Sequence, residues 1–528
     1  MTNIINIVNF VRGVEPREGR NIDLRQPVSE QLKIMRNHGL TGTFLFQYDA
    51  LISPDFRDLM NECAEFCEVG LWLEIVEPLV RAVGEQWRGR YPWDWYCDVG
   101  FLIGYEPDVR KKLIDECMRA YREIFGKYPR SVGAWHIDAV SMGYLHERYG
   151  TVACCICRDQ VGTDGYTLQG GYYNQAYYPC KKNMFCPAST REEQIDMPVF
   201  RMLGSDPVYA YDQQLFKYGM KRISTLEAAQ MGRDSGWCDW FFDAMFSGRG
   251  LCFQYAQAGQ ENSFGWRLMG EGIEYQFPKI AQMAREGKVK VMTLGDSGEW
   301  YKERYEMTPP ATVAVDSAFD NADIRSVWYC SKYYRTNIIV DKGVARIRDM
   351  YVFDVDYAEH YLSAPCDTHA CEFRNLPVMD GAIYSNAEHS LVAGVYMTVS
   401  GEPIVWSDIR YSEETPDRAV TELICERGYA RLVMTEKEIV LYTDIDGFKL
   451  CPVYDRDRVY GTNDFGSEQF ANHNNRKTCL NFVTRAVARD GRIELCFDGH
   501  EYGIQVAEGH VDEQFCLTPR GGAIRVKV

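Results

Sequence analysis

The sequence predicts an α/β fold in two domains, a parallel (β/α)7-8 barrel followed by an all-β sandwich domain. Within the first 300 residues eight short apolar runs each close in polar or charged residues and lead into a stretch with helical spacing. Near Thr308-Pro309-Pro310 that alternation stops, and short segments of alternating polarity take over. Continuous apolar runs suit strands buried on both faces, and their alternation with helices implies right-handed crossovers within one parallel sheet. A chain of 528 residues also exceeds what a single hydrophobic core organises. The expected division is residues 1–305 for the barrel and 306–528 for the sandwich.

Each apolar run supplies one strand of the barrel. They cover 4–10 closing at Arg12, 43–46 closing at Asp49, 69–73 closing at Glu74, and 132–135 closing at His136 and Asp138. The others are 152–156 closing at Arg158 and Asp159, 199–203 at Asp206, 251–255 at Gln257, and 289–294 at Asp296. Helices are expected over 28–37, 56–66, 107–124, 140–148, 225–232, 275–285 and 298–305, several with apolar spacing of three and four. The longest opens on Pro107 and is followed by Gly126, the usual start and stop asymmetry. Residues 84–100, rich in Trp, and 162–187, dense in Gly, Tyr and Asn, follow strands and read as long loops over the barrel mouth. From Ala311 onward, segments such as 326–329, 337–340, 430–434, 438–442 and 493–497, with Asp-Gly turns at 446–447 and 490–491, read as strands.

Composition narrows the function classes. A formal charge of -17 argues against nucleic acid or an anionic membrane as partner, since either needs a basic surface. No basic leader precedes the first apolar run, which Asn6 and Asn9 interrupt, and no run approaches the roughly 18 apolar residues of a membrane helix. These features predict a cytoplasmic protein of soluble metabolism, its self-association left open. The 19 cysteines are dispersed and read as reduced thiols packed as small hydrophobes. Neither Cys154, Cys155 and Cys157 nor the pair Cys63 and Cys67 is completed by a second CxxC or paired histidines, so no metal ligand and no cofactor is assigned.

In a barrel of this kind the C-terminal strand ends build the active site. Trp135, His136 and Asp138 close the fourth run, and alternation would turn His136 and Asp138 to one side. The competing reading is that Asp138 caps the helix that follows it. Asp206, Asp159 and Glu74 close neighbouring runs. Nine of the 11 tryptophans precede residue 301, and Trp72, Trp93, Trp95, Trp135 and Trp266 fall at or near strand ends and mouth loops. Flat rings with polar edges stack on sugar faces, although about half of them would serve the core, where large aromatics dominate packing.

Three segments in this order carry a resemblance. Gly133-Ala-Trp135-His-Ile-Asp138 resembles the Gly-x-Trp-x-x-Glu segment of glycoside hydrolase family 57, Ala258-Gly-Gln-Glu261-Asn-Ser-Phe264-Gly265-Trp266 is similar to its Asp-x-Glu-x-Phe-Gly-His-Trp segment, and residues 293–301 resemble the segment closing its barrel. The whole chain also looks like an uncharacterised bacterial family of glycoside hydrolase/deacetylase-type barrel proteins. The resemblance implies Asp138 as nucleophile. With Phe264-Gly265 in register, Gln260 stands where the acid/base aspartate belongs and Glu261 is its neighbour. The first strand has Asn9-Phe10-Val11-Arg12 in place of the His-x-His usual there. Deacetylation on this barrel would need a metal held by an Asp and two His in His-x-x-x-His spacing, whereas the barrel half offers only His38, His136 and His146.

The reading is a glycoside hydrolase acting on small oligosaccharides or glycosides by a two-carboxylate mechanism. Asp138, Glu261 and Asp206 are the catalytic candidates. Arg12, Trp72, Glu74, Trp93, Asp94, Trp95, Trp135, His136, Asp159, Gln160, Asp164, Tyr166, Gln254, Trp266 and Glu299 are the substrate-binding candidates. The rival classes are a metal-dependent carbohydrate deacetylase or mannosidase-like enzyme, and a non-catalytic carbohydrate-binding protein.

Overall fold

The architecture is that of a computed structural model, which describes residues 1–17, 20–157, 160–163, 166–168, 170–202, 204–212, 225–373, 375–386, 389–456 and 485–528. Its first half is organised by eight parallel strands: β1 Thr2–Val11, β2 Thr43–Gln47, β3 Glu68–Trp72, β4 Ser131–Gly133, β5 Ala153–Cys157, β6 Val199–Met202, β7 Phe253–Ala258 and β8 Lys290–Met292. β1 is the hub because it is twice the length of most of the others. Its first half pairs with β7 (Thr2↔Phe253 to Ile7↔Ala258) and β8 (Ile4↔Lys290 to Asn6↔Met292), and its second half with β2 (Val8↔Thr43 to Val11↔Phe46). The ladder runs β7-β1-β2-β3-β4-β5-β6 and ends in the antiparallel pair Ala176–Tyr177.

Among the described residues this ladder is not closed by strand pairing between β6 and β7. Side chains span the seam instead. The Phe200 and Tyr255 rings lie 5.3 Å apart, and Asn174 Nδ2 donates to the Tyr255 carbonyl over 3.0 Å, taking an acceptor that a closing strand would use. The expected (β/α) alternation is present as a parallel sheet; a hydrogen-bonded closed barrel is not displayed.

Helices follow the strands for local reasons. Arg25–His38 stops at Gly39 (φ 66), Pro107–Phe125 begins on Pro and stops at Gly126 (φ 70), and Ala139–Tyr149 stops at Gly150 (φ 69). Each glycine takes the left-handed conformation that ends a helix without a Cβ penalty. Residues 160–187 are more structured than a loop: they carry Gln160–Thr163, Tyr166–Leu168, Ala176–Tyr177, Pro179–Cys180 and Asn183–Pro187 as short strands.

Beyond residue 310 strands dominate, in antiparallel sheets of ten and eight. Ile338, Ile347, Met397 and Leu450 of the first share a core with Leu423, Leu432, Leu441 and Ile524 of the second, as alternating inward residues of facing sheets do. Cys451 and Cys516 are joined as a disulfide, which corrects the expectation that all thiols are reduced. One segment returns to the first half. Cys371–Phe373 pairs in parallel with Tyr166–Leu168, Cys366 N–H donates to Ile103 O, and Cys97 N–H to His369 O. The stretch 359–373 therefore lies against the C-terminal ends of the parallel strands.

Candidate functional site

Five C-terminal strand ends bring one polar cluster together. Arg12 follows β1, Gln47 ends β2, Glu74 follows β3, Trp135 follows β4 and Glu261 follows β7. Arg12 Nε donates to Glu74 Oε2 at 3.0 Å, Nη2 to both Glu74 oxygens at 2.9 Å, and Nη1 to Glu261 Oε2 at 2.6 Å. Trp135 Nε1 (2.6 Å) and Gln47 Nε2 (2.9 Å) complete the shell of Glu74, and Ser263 bonds to both Arg12 and Glu261. Burial alone would lower the Arg12 guanidinium, but Glu261 and Glu74 outweigh it and push it up. The Trp93 ring centre stands 4.4 Å from the guanidinium carbon, and Trp93 Nε1 donates to Val14 O. Asn262 fixes the Arg12 backbone by accepting its N–H and donating to its carbonyl, both at 2.9 Å.

Asp49 adjoins this cluster. Its Oδ1 accepts from Ala50 N–H (2.7 Å) and Gly13 N–H (3.2 Å), while Oδ2 is buried with no hydrogen-bond partner among the described residues. A Cβ on Gly13 would stand 2.7 Å from Ala50 N, so only glycine lets the two turns approach this closely. Burial pushes the Asp49 carboxyl up to about 6 against those two backbone bonds and Arg12, and Glu74 adds to the rise. Two neighbouring carboxylates thus occupy different environments: Glu74 is surrounded by donors, and Asp49 is short of them.

The remaining candidates are placed elsewhere. Asp138 is fully buried; Oδ1 accepts from Ser141 N–H and from Arg110 Nη1, both at 3.0 Å, and Oδ2 from Ser141 Oγ at 2.7 Å. This is the helix-cap arrangement, sealed by a buried arginine, and it engages both carboxylate oxygens. Asp206 is buried in its own turn, accepting from Val208 and Tyr209 N–H and, at 3.4 Å, from Trp237 Nε1. Gln254 lies at the N-terminal end of β7, opposite Asn3, and holds the turn before it through Gly248 N–H and Arg249 O. Glu299 is exposed and pairs with Arg130, which precedes β4, so it too is at the far end.

Trp72 is core, stacked on Phe10 at 4.0 Å. Asp94 is held by Arg90, whose hydrogen bonds outweigh burial and keep the carboxylate below its usual range; Arg90 also covers Trp95 at 4.7 Å. Trp266 begins the helix Trp266–Arg285 and packs half-buried against the core. His136 is buried between Phe101 and Phe373, and burial holds it down to about 3, neutral and unsuited to proton transfer near neutrality. Gln160 and Tyr166 pair through the backbone with Leu168 and Cys371. Asp159 and Asp164 lie outside the described residues.

Of the expected residues the structure therefore gathers Arg12, Glu74, Trp93, Trp135 and Glu261. It adds Gln47, Asp49, Asn262 and Ser263, which sequence reasoning did not select. Asp49 was visible as the close of the second apolar run, and Asn262 and Ser263 as the neighbours of Glu261. The donor set of a conventional deacetylase does not fit. His38 is exposed at the end of the helix Arg25–His38, and His146 bonds to Thr151 O just past the end of its own helix, so among the described residues no two barrel histidines meet at an aspartate.

Among solved structures, the chain matches a Parabacteroides distasonis protein described as a glycoside hydrolase/deacetylase, with a TM-score of 0.50 and 13% identity over 72% of this chain and 89% of that one. The likeness is one of fold. A polysaccharide deacetylase from Mycobacterium smegmatis (TM-score 0.35, 14% identity, 57% of this chain and 91% of that one) is more distant. So is a GH57-type branching enzyme from Pyrococcus horikoshii (0.34, 8%, 57% and 70%). No family model and no curated protein matches the chain. The fold-level resemblance to glycoside hydrolase/deacetylase-type proteins stands, and the reaction has to be argued from the site.

Proposed function

We propose that the chain is a carbohydrate-active hydrolase, and within that class a glycoside hydrolase whose two carboxyl groups are Asp49 and Glu74. The observation that carries this reading is the contrast between them. Asp49, pushed up to about 6, holds its proton into the weakly acidic range and can give it to a glycosidic oxygen. Glu74 is held in one orientation by donors from Arg12, Gln47 and Trp135, and its carboxylate would attack the anomeric carbon or take a proton from water. Protonating the leaving oxygen breaks the glycosidic bond as the new bond to carbon forms, and a water ends the cycle by supplying the hydroxyl and returning a proton to Asp49.

Glu261 shares the positive charge of Arg12 and so keeps it from neutralising Glu74 alone. Asp49 and Trp135, each 9% exposed, are the most open members of the cluster, so a sugar ring would approach across them with Trp135 beneath it. The test is a panel of aryl glycosides and of acetylated sugars offered to the wild type and to Glu74→Gln, with and without chelator. Glycoside turnover that resists chelator and falls by orders of magnitude in Glu74→Gln is expected. Chelator-sensitive release of acetate would favour the deacetylase class, and binding without turnover a carbohydrate-binding protein.

A further inference from the structure

His136, set aside as an acid or base, has two sulfur neighbours from distant stretches of the chain. Its Nε2 lies 3.8 Å from Cys371 Sγ, and the ligating atoms of Cys97, His136 and Cys371 all fall within 4.8 Å of one another, each residue buried. In a tetrahedral site with Zn–S near 2.3 Å and Zn–N near 2.0–2.1 Å, such donors stand roughly 3.5–3.8 Å apart. The observed spacing is that of a ligand shell slightly expanded.

Buried cysteines often serve only as small hydrophobes. Here, though, three donors converge from the loop after β3, the end of β4, and the returning strand Cys371–Phe373. We propose that Cys97, His136 and Cys371 form a binding site for a borderline-soft divalent cation, Zn2+ in the first instance. Two thiolates and a neutral imidazole would balance the charge of the ion and leave a fourth position for water. Binding releases the two thiol protons to solvent and changes no oxidation state. The rings of Phe101 and Phe373, 4.5 and 5.1 Å from the imidazole, supply a dry shell that strengthens the bonds. The ion would pin the stretch 359–373 to the mouth of the parallel strands.

The experiment uses the full chain, produced in zinc-supplemented medium and passed over a desalting column. Elemental analysis should find one zinc per chain in the wild type and in Cys425→Ser, and a several-fold lower content in Cys371→Ser and Cys97→Ser. Exchange of the wild type into Co2+ should give thiolate-to-cobalt charge-transfer absorption and tetrahedral visible bands, a readout that needs no variant to fold. A folded wild type that retains no zinc and shows no charge-transfer band would overturn the proposal. Full zinc content in folded Cys371→Ser would do the same, because the ion would then sit elsewhere.

Discussion

Arg12 and Glu74 meet through three hydrogen bonds of 2.9 to 3.0 Å, with both side chains almost wholly out of water. A fork-to-fork pair of this kind is geometrically specific, and its second carboxylate, Glu261, leaves the guanidinium no solvent-facing role. Arg12→Met would strand two buried anions and should destabilise the protein by about 3–5 kcal/mol. Arg12→Lys should recover little of that, since an ammonium cannot span both carboxylates. Urea unfolding of the two variants checks both statements, and a stable Arg12→Met would show that the cluster is not the anchor described.

Asp138 separates structure from chemistry. Arg110, fully buried, relies on it together with four carbonyl oxygens, those of Ile103, Tyr105, Tyr361 and Ala364. Asp138→Asn removes the charge opposite a buried cation and weakens a helix cap, at a cost of roughly 3 kcal/mol or more. Turnover per folded molecule should be unchanged. Calorimetry alongside an active-fraction assay would distinguish this from a catalytic loss.

Asp49 should oppose stability as pH rises. Its carboxyl titrates near 6 in the folded chain and lower when unfolded, so the folded state holds the proton more tightly. Its stabilising contribution is complete below the ordinary aspartate range and is lost as pH climbs through about 6. Asp49→Asn, which cannot ionise, should therefore unfold at a higher temperature than the wild type at pH 8 while the two converge at pH 4.

Glu359 makes a similar prediction for the returning segment. Burial first, and Asp138 second, push its carboxyl up to about 8, although it accepts from Ala139 N–H and Met184 N–H. Folded and unfolded pKa values differ in the same direction as for Asp49, so stability falls as pH rises from about 4.5 through about 8. Hydrogen exchange of residues 359–373 should accelerate over that window, and Glu359→Gln should flatten the dependence.

The parallel strands and most of their helices were legible because burial on both faces writes itself as continuous apolar runs, and Pro107 and Gly126 mark helix ends directly. The helix expected over 225–232 is instead turn and a single 3-10 turn, with the helix following at Ser235–Met245. The seam between β6 and β7 was not, since its contacts are Phe200 on Tyr255 and Asn174 on a carbonyl, with no pattern in the local sequence. In the site, strand-end position picked out Arg12, Glu74 and Trp135, which the structure brings into one hydrogen-bonded cluster. It misdirected at Asp138 because a helix cap and a catalytic carboxylate occupy the same place in a βα turn. Gln254 and Glu299 failed for another reason: they sit at the opposite ends of their strands, and an apolar run alone does not say how far the strand extends. The meeting of Cys97, His136 and Cys371 depends on a strand contributed from more than 230 residues away, as the separation of His136 and Cys371 records.

The central claim is that Asp49 donates the proton to the leaving oxygen. Its most direct test is the hydrolysis of paired aryl glycosides by Asp49→Asn, one with a strongly acidic phenol as leaving group and one with a poorly acidic phenol. Cleavage of the first needs no protonation, so the variant should match the wild type there. On the second it should lose the contribution of a general acid, about 10²–10⁴-fold. Equal rates for wild type and Asp49→Asn on both substrates would contradict the account.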